Sequence, residues 1–356
     1  MVVESDAVPM SGVPRSVLFR QAVDQTAASC GLFQALERRA KRAVTILMYH
    51  RVLPDDQCGR YFHDNLVIPL SVFREQVKWL QSNYEVQTVH EVISKSTASA
   101  AGARVCITFD DGYWDNAEIA APVLEASGLR GTFYLTTEFV EGRCALWFDQ
   151  AAQVWEDDRT MVDRLCTELC AAVPATVEQW LNWLKGDKNA RDLVAARLAA
   201  EPADTPHSAL NRAMSVADAR ELAARGHELG AHSRTHPILT QLDDSALAAE
   251  VGGSLRSVRA WAGRPDVGFA YPNGSFDARV RAAVSSAGGT HACGTAPGLH
   301  ALHDDVLAIR RRSIFPKSVS VAGKHSVASF RAEINGFHDL QRVGMRIVRR
   351  FTGRFS

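Results

Sequence analysis

Short, uniformly apolar runs alternate along the chain with longer stretches in which apolar residues return every three or four positions. The first kind reads as buried strand and the second as amphipathic helix. Strands are predicted at VTILMYH (44–50), YEVQTV (84–89), VCITF (105–109), GTFYLTT (131–137), HELGAH (227–232), GFAYP (268–272), HACGT (291–295) and AIRRRSIF (308–315). Helices are predicted from Ser71, taken as an N-cap, from Asn116 to Gly128, and in the segments that end at Gly226, Gly263 and Gly289. Glycine at these ends suits the left-handed residue that closes a helix. Strand–helix alternation implies a mostly parallel sheet covered by helices. With no dinucleotide-type GxGxxG among the turns, the expected fold is α/β, a distorted (β/α) barrel of seven or eight mostly parallel strands.

Two regions break the alternation. Residues 141–215 are helical in pattern and rich in tryptophan (Trp147, Trp155, Trp180, Trp183), and read as an insertion between two barrel units. The tail interleaves Arg342, Arg346, Arg349, Arg350 and Arg354 with Leu340, Val343, Ile347, Val348 and Phe351. As a helix it suits either packing on the barrel or lying on an anionic membrane surface. The expected organisation is a helical extension (1–43), a barrel (44–320) with its insertion, and a basic amphipathic tail (321–356).

The 356 residues, 46% of them hydrophobic, are enough for a large core. Lys plus Arg and Asp plus Glu both number 40, so no overall field attracts nucleic acid, and none is expected as a partner. Seven cysteines without a CxxC pair indicate reduced, structural thiols rather than a disulfide framework. Arg15, Arg20 and Asp24 interrupt the only stretch resembling a signal-peptide core. The expected location is cytoplasmic, with peripheral contact at the inner membrane face through the tail.

Catalytic groups of (β/α) barrels stand at the C-terminal ends of the strands. Here those positions hold His50, Asp110 and Asp111, Thr136 and Thr137, His232 and His236, Tyr271 to Asn273, and the arginines 310–312. HSRTH offers two imidazoles four residues apart, and one carboxylate from FDDG would complete three ligands with an open fourth position, the pattern of a catalytic metal site. One aspartate can then coordinate while its neighbour accepts a proton from water. On its own, DDG reads first as a solvated turn, with Asp suited to left-handed geometry.

TFDDG (108–112) with HSRTH (232–236) resembles the first two motifs of the polysaccharide deacetylases, carbohydrate esterase family four (the NodB-homology domain). FAYPNG (269–274) is similar to the third motif of its bacterial exopolysaccharide-associated members, as are MYHRV and GTFYLTT. The resemblance implies a metal-dependent N-deacetylase: Asp110 as general base, Asp111, His232 and His236 as ligands of a divalent metal such as Zn, with Co or Ni as alternatives, and the Tyr271 backbone N–H as an oxyanion donor. It implies an N-acetylated glycan or lipid-linked sugar as substrate. Two family features are missing. FAYPNG carries no arginine to orient the base, so Arg310, Arg311 or Arg312 must supply it, Arg310 being the leading candidate. The last strand lacks the Leu-x-His general acid, and His50 is the substitute. Pro272, Asn273 and Trp147 are candidate substrate contacts. Competing readings are a non-catalytic glycan-binding barrel and an amidase acting on a small non-sugar amide.

Overall fold

In the computed structural model, residues 15–39, 43–94, 103–169, 171–199, 209–301, 304–321 and 324–342 are described. Seven strands form a curled sheet in chain order: β1 (Ala43–Tyr49), β2 (Arg104–Phe109), β3 (Thr132–Leu135), β4 (Glu228–Ala231), β5 (Phe269–Ala270), β6 (Ala292–Cys293) and β7 (Arg312–Ser313). Each pairs in parallel with its predecessor from β1 to β6. The ring closes through residues 309–314: Ile309 bridges Cys293, while β7 pairs with Leu47 and Met48 of β1. Glu85–Val86 adds in parallel to β2, and His300–Ala301 runs antiparallel to the start of β1.

Strand parity divides the residues into two cores, since alternate side chains face opposite sides of a sheet. Val44, Ile46, Cys106, Tyr134, Ala270, Cys293 and Ile309 fill the barrel. Leu47, Tyr49, Val105, Ile107, Phe109, Phe133, Leu135 and Leu229 face outward beneath the helices. Two helices, α1 (Arg15–Ser29) and α2 (Leu32–Arg39), precede β1, and α3 (Leu70–Asn83) covers this outer core with Val72, Phe73, Val77 and Leu80. Gly230 makes room inside the barrel: a Cβ there would lie 2.3 Å from Tyr134 Cδ1. The Ser71 expectation shifts by one turn position, because α3 begins at Leu70 after Pro69 and Ser71 instead donates to Asp55.

The insertion folds as α4 (Trp147–Asp157), α5 (Arg159–Glu168), α6 (Val177–Gly186) and α7 (Lys188–Ala199), around a core of their own that includes Leu165, Trp180 and Leu184. Tyr113 and Phe139, which flank the barrel rim, join that core and seat the helices over it. Beyond them come α8 (Val216–Ala224), α9 (Asp244–Ala262) and α10 (Ala278–Ser286). At the far end, Phe33 of α2 packs with Ala27 of α1 and Ala332 of α11 (Val327–Ile334). The buried imidazole of His338 lies between the carboxylates of Asp24 and Glu333, tying α1 to α11. Among the described residues no helix is long and apolar enough to cross a membrane. The arginine-rich part of the tail, from 343 onward, lies outside the described residues.

Candidate metal centre and active site

β2 delivers Asp110 and Asp111 to the rim, and the turn between them sets their directions. Asp110 keeps strand geometry, its N–H donating to Tyr49 O, and follows Cys106 and Thr108 on the interior face. Asp111 turns away with φ 78° and Gly112 with φ 94°, so the two carboxylates diverge. Across the ring, His232 follows directly on the last residue of β4, Ala231. Ser233 and His236 also adopt positive φ (64° and 61°), which folds HSRTH back on itself. Glu250 of α9 holds this fold, accepting from the N–H groups of Arg234 and Thr235 and from Thr235 Oγ1. Among described non-glycine residues, positive φ occurs at these three and at Asn273 alone, all in loops carrying the site. Such conformations are sparsely populated and concentrate at functional sites.

The three residues converge. Asp111 Oδ1 lies 3.4 Å from Nε2 of both His232 and His236, and one ligand atom from each lies within 4.8 Å of the others. His232 Nδ1 lies 2.8 Å from Ala270 O; donation there leaves the Nε2 lone pair directed at the centre. All three side chains are buried, and a carboxylate with two imidazoles is a donor set that fits a divalent cation. Burial pushes the His236 imidazole down to about 4, against the Asp111 charge, which favours the neutral, ligating form.

Asp110 meets a different partner. Arg311 donates Nη1 to Oδ1 and Nη2 to Oδ2, each at 2.6 Å, in a fully buried fork. The guanidinium is itself fixed, with Nε donating to Gly294 O at 2.9 Å and Nη1 to Thr108 Oγ1 at 3.2 Å. Burial alone would raise the Asp110 carboxyl, but Arg311 overrides it and holds the group below the usual carboxylate range. Arg310, the leading sequence candidate, is exposed. Its parity is opposite to that of Ile309, which points into the barrel, so Arg311 inherits the inward direction. Arg312 pairs with Asp339 instead.

A cavity of about 330 Å³ lies against both groups, near the lower end of the range for small-ligand sites. His50 lines it, half-buried; burial lowers its imidazole while the Asp111 and Asp110 charges work the other way. Asn273 and Tyr271 also line it, whereas Pro272 between them is buried and does not. The Tyr271 N–H donates to Cys293 O at 2.9 Å as part of the β5–β6 pairing, so it is not free to serve as an oxyanion donor. Trp147 does not line the cavity either: its Nε1 donates to His236 O at 3.1 Å, bracing the loop from behind. Its neighbour Phe148 takes the wall position, edge-on to the His236 ring at 5.1 Å. His63 and Lys185 also line the cavity, and nothing in the sequence pattern singled them out.

A polysaccharide deacetylase family model matches residues 98–292, a span that contains DDG, HSRTH and the β5 turn. YxkH of Bacillus subtilis (strain 168) is 34% identical over 102 residues, 28% of this chain, and the chain spans only 33% of that relative's length. Among solved structures, the Streptococcus pyogenes deacetylase PplD, in complex with acetate, superposes with a TM-score of 0.53 at 16% identity, covering 78% of this chain and 94% of that one. BC0361, a polysaccharide deacetylase from Bacillus cereus, gives 0.52 at 20% identity, covering 82% and 69%. IcaB from Ammonifex degensii gives 0.51 at 16%, covering 78% and 94%. At these identities the structures share the fold, while the family model spans more than half of the sequence and every loop that builds the metal trio. The chain belongs to the polysaccharide deacetylase family.

Proposed function

We propose that this protein is a divalent-metal-dependent hydrolase, with zinc the leading metal, that removes N-acetyl groups from an amino-sugar glycan or a lipid-linked precursor. The supporting observation is that Asp110, clamped by Arg311, and the Asp111–His232–His236 trio face one cavity. Its place is bacterial exopolysaccharide assembly, as a peripheral protein at the inner membrane face.

When bound, the cation would polarise the acetyl carbonyl and offset charge as it develops there. The chain's own residues do the rest. Asp110 accepts the proton of the attacking water, and Arg311 keeps its carboxylate ionised and aimed. The departing amine needs a proton, and the role of giving it is assigned to His50, which lines the cavity. Phe148 and Asn273 shape the wall against which the sugar sits.

Acetate release from N-acetylglucosamine oligomers, with zinc or cobalt added, tests this reading. Turnover is expected. No release from any N-acetylated sugar, with metal demonstrably bound, would sink it in favour of a non-catalytic glycan-binding barrel or an amidase for small amides. Asp110→Asn should abolish turnover yet retain metal, whereas Asp111→Asn should lose both. Equal metal loss in the two variants would refute the division of roles.

A further inference from the structure

Part of the cavity wall is built by the insertion, through Phe148, Leu181 and Lys185. Lys185, near the end of α6, is the only lysine or arginine among the described residues lining the cavity, and the only acids lining it are Asp110 and Asp111. Asp110 is already paired with Arg311, and Asp111 belongs to the trio. Lys185 is half-buried, and no described carboxylate lies within 4.0 Å of its ammonium; Glu178, exposed two turns earlier on α6, forms no ion pair with it. His63, from the loop after Tyr61, lines the same wall.

The position of Lys185 is fixed by the loop that carries the metal ligands. Its carbonyl accepts from Gln241 Nε2 at 3.1 Å and from Arg191 Nη1 at 3.0 Å, and Gln241 follows His236 by one short turn. A half-buried ammonium without a counter-charge is an unusual expense in an unliganded wall, since desolvation disfavours its charge. Burial does lower the Lys185 ammonium, with Glu178 opposing. A ligand bringing negative charge would offset that cost.

We propose that Lys185, with His63 beside it, forms a specificity subsite for an anionic oxygen group, phosphate or carboxylate, carried by the acetylated sugar. The inference rests on the deacetylase reading and narrows its substrate class: a sugar phosphate or a uronate-containing glycan is preferred over a neutral oligomer. Lys185 is a binding residue here, removed from the reacting atoms, and its charge acts on substrate affinity.

Isothermal titration of the full chain loaded with zinc tests it, using methyl N-acetylglucosaminide as neutral probe, N-acetylglucosamine 1-phosphate as phosphate probe and a glucuronate-linked N-acetylglucosamine disaccharide as carboxylate probe. At least one charged probe should bind ten times more tightly than the neutral one or better, and which of them does so identifies the group. Lys185→Gln should cut that preference below threefold, Lys185→Arg should keep most of it, and raising the salt from 50 to 500 mM should erode it. Equal affinity for all three probes overturns the proposal. So does a preference that survives Lys185→Gln but vanishes on chelation, which would mean the metal centre holds the anion. Acetate release measured in parallel keeps the two readings apart: no turnover of any probe defeats the deacetylase reading, while the binding preference decides the subsite.

Discussion

Asp110, at the end of β2, and Asp149, on the insertion helix α4, are both buried, at 2% and 4% exposure, and their charges go opposite ways. Asp110 faces a guanidinium that gives it two charge-assisted hydrogen bonds, and it stays ionised. Asp149, in the first turn of α4, accepts from Tyr113 Oη at 2.7 Å and from Tyr61 Oη at 3.0 Å. Burial pushes its carboxyl from 3.8 up to about 7, against both phenols and the nearby Arg51. Arg51 does not pair with it: its Nε donates to Asp115 Oδ1 at 2.8 Å and its Nη2 to Leu210 O at 2.6 Å, while its guanidinium lies over the Tyr113 and Tyr61 rings. Hydroxyl donors satisfy the hydrogen-bonding capacity of a buried carboxyl without matching its charge. A cation can do both, and of these two acids only Asp110 has one paired to it.

Removing that cation should have the largest effect. In Arg311→Met, Asp110 is left buried and unpaired, a change that typically costs about 3–5 kcal/mol. Acetate release should fall by about two orders of magnitude or more, because the base is neutralised or misaimed. Arg311→Lys restores the charge but not the fork, and should recover only part of either quantity. Urea unfolding and acetate release measure the two. If Arg311→Met kept activity within twofold of wild type, the contrast between the two aspartates would carry no functional meaning.

The other half of the contrast appears in pH dependence. The folded protein holds the Asp149 proton up to about pH 7, whereas the unfolded chain releases it near 3.8. The stability conferred by that proton is therefore complete below the unfolded value and is lost as pH rises through about 7. Between pH 5 and pH 8 the loss comes to about 3 kcal/mol. In Asp149→Asn the side chain cannot titrate, so this slope should disappear from urea midpoints measured across the range, and comparison with wild type cancels the contributions of other groups. Matching slopes in the two proteins would show that Asp149 is already ionised in the folded state.

Which of these features could be read in advance follows from how local their causes are. The strands near 44–50, 105–109 and 131–137 are apolar on both faces because both faces of the sheet are covered, and the pattern alone places them. Asp110, Asp111, His232 and His236 sit at motif spacing on strand ends, and their convergence follows from the barrel. Choosing Arg311 over Arg310 needed one further fact, that Ile309 points inward, and a strand reduced to Arg312–Ser313 with a bridge at Ile309 gives little pattern from which to read it. The Tyr271 N–H looked available only because the β6 carbonyl that accepts it is not visible in FAYPNG. Asp149 was illegible for a different reason. An acid in the first turn of a helix ordinarily complements the helix dipole at the surface, and what buries this one is Tyr61, 88 positions away. Lys185 and His63 likewise meet only through tertiary packing.

The smallest predicted effect isolates the side chain from the backbone at the same rim. Asn273 holds φ 54° in the turn after β5 and lines the cavity. Asn273→Gly relieves the left-handed strain, on the order of 1 kcal/mol for an L-residue and less for asparagine, which tolerates this region. The same change frees the unfolded chain, at about 0.5–1 kcal/mol in the opposite direction. The two nearly cancel, so the urea midpoint should move by less than about 0.5 kcal/mol, with the turn intact because glycine favours its conformation. Any loss of acetate release in this variant then belongs to the missing carboxamide, and a rise in KM at constant kcat would mark Asn273 as a ground-state substrate contact. Asn273→Ala separates the alternatives, since it loses the same amide but restores the strain. If Gly and Ala lose activity equally while only Ala loses stability, the amide acts on the substrate. If activity follows stability in both, the residue serves the turn and the acetylated sugar never touches it.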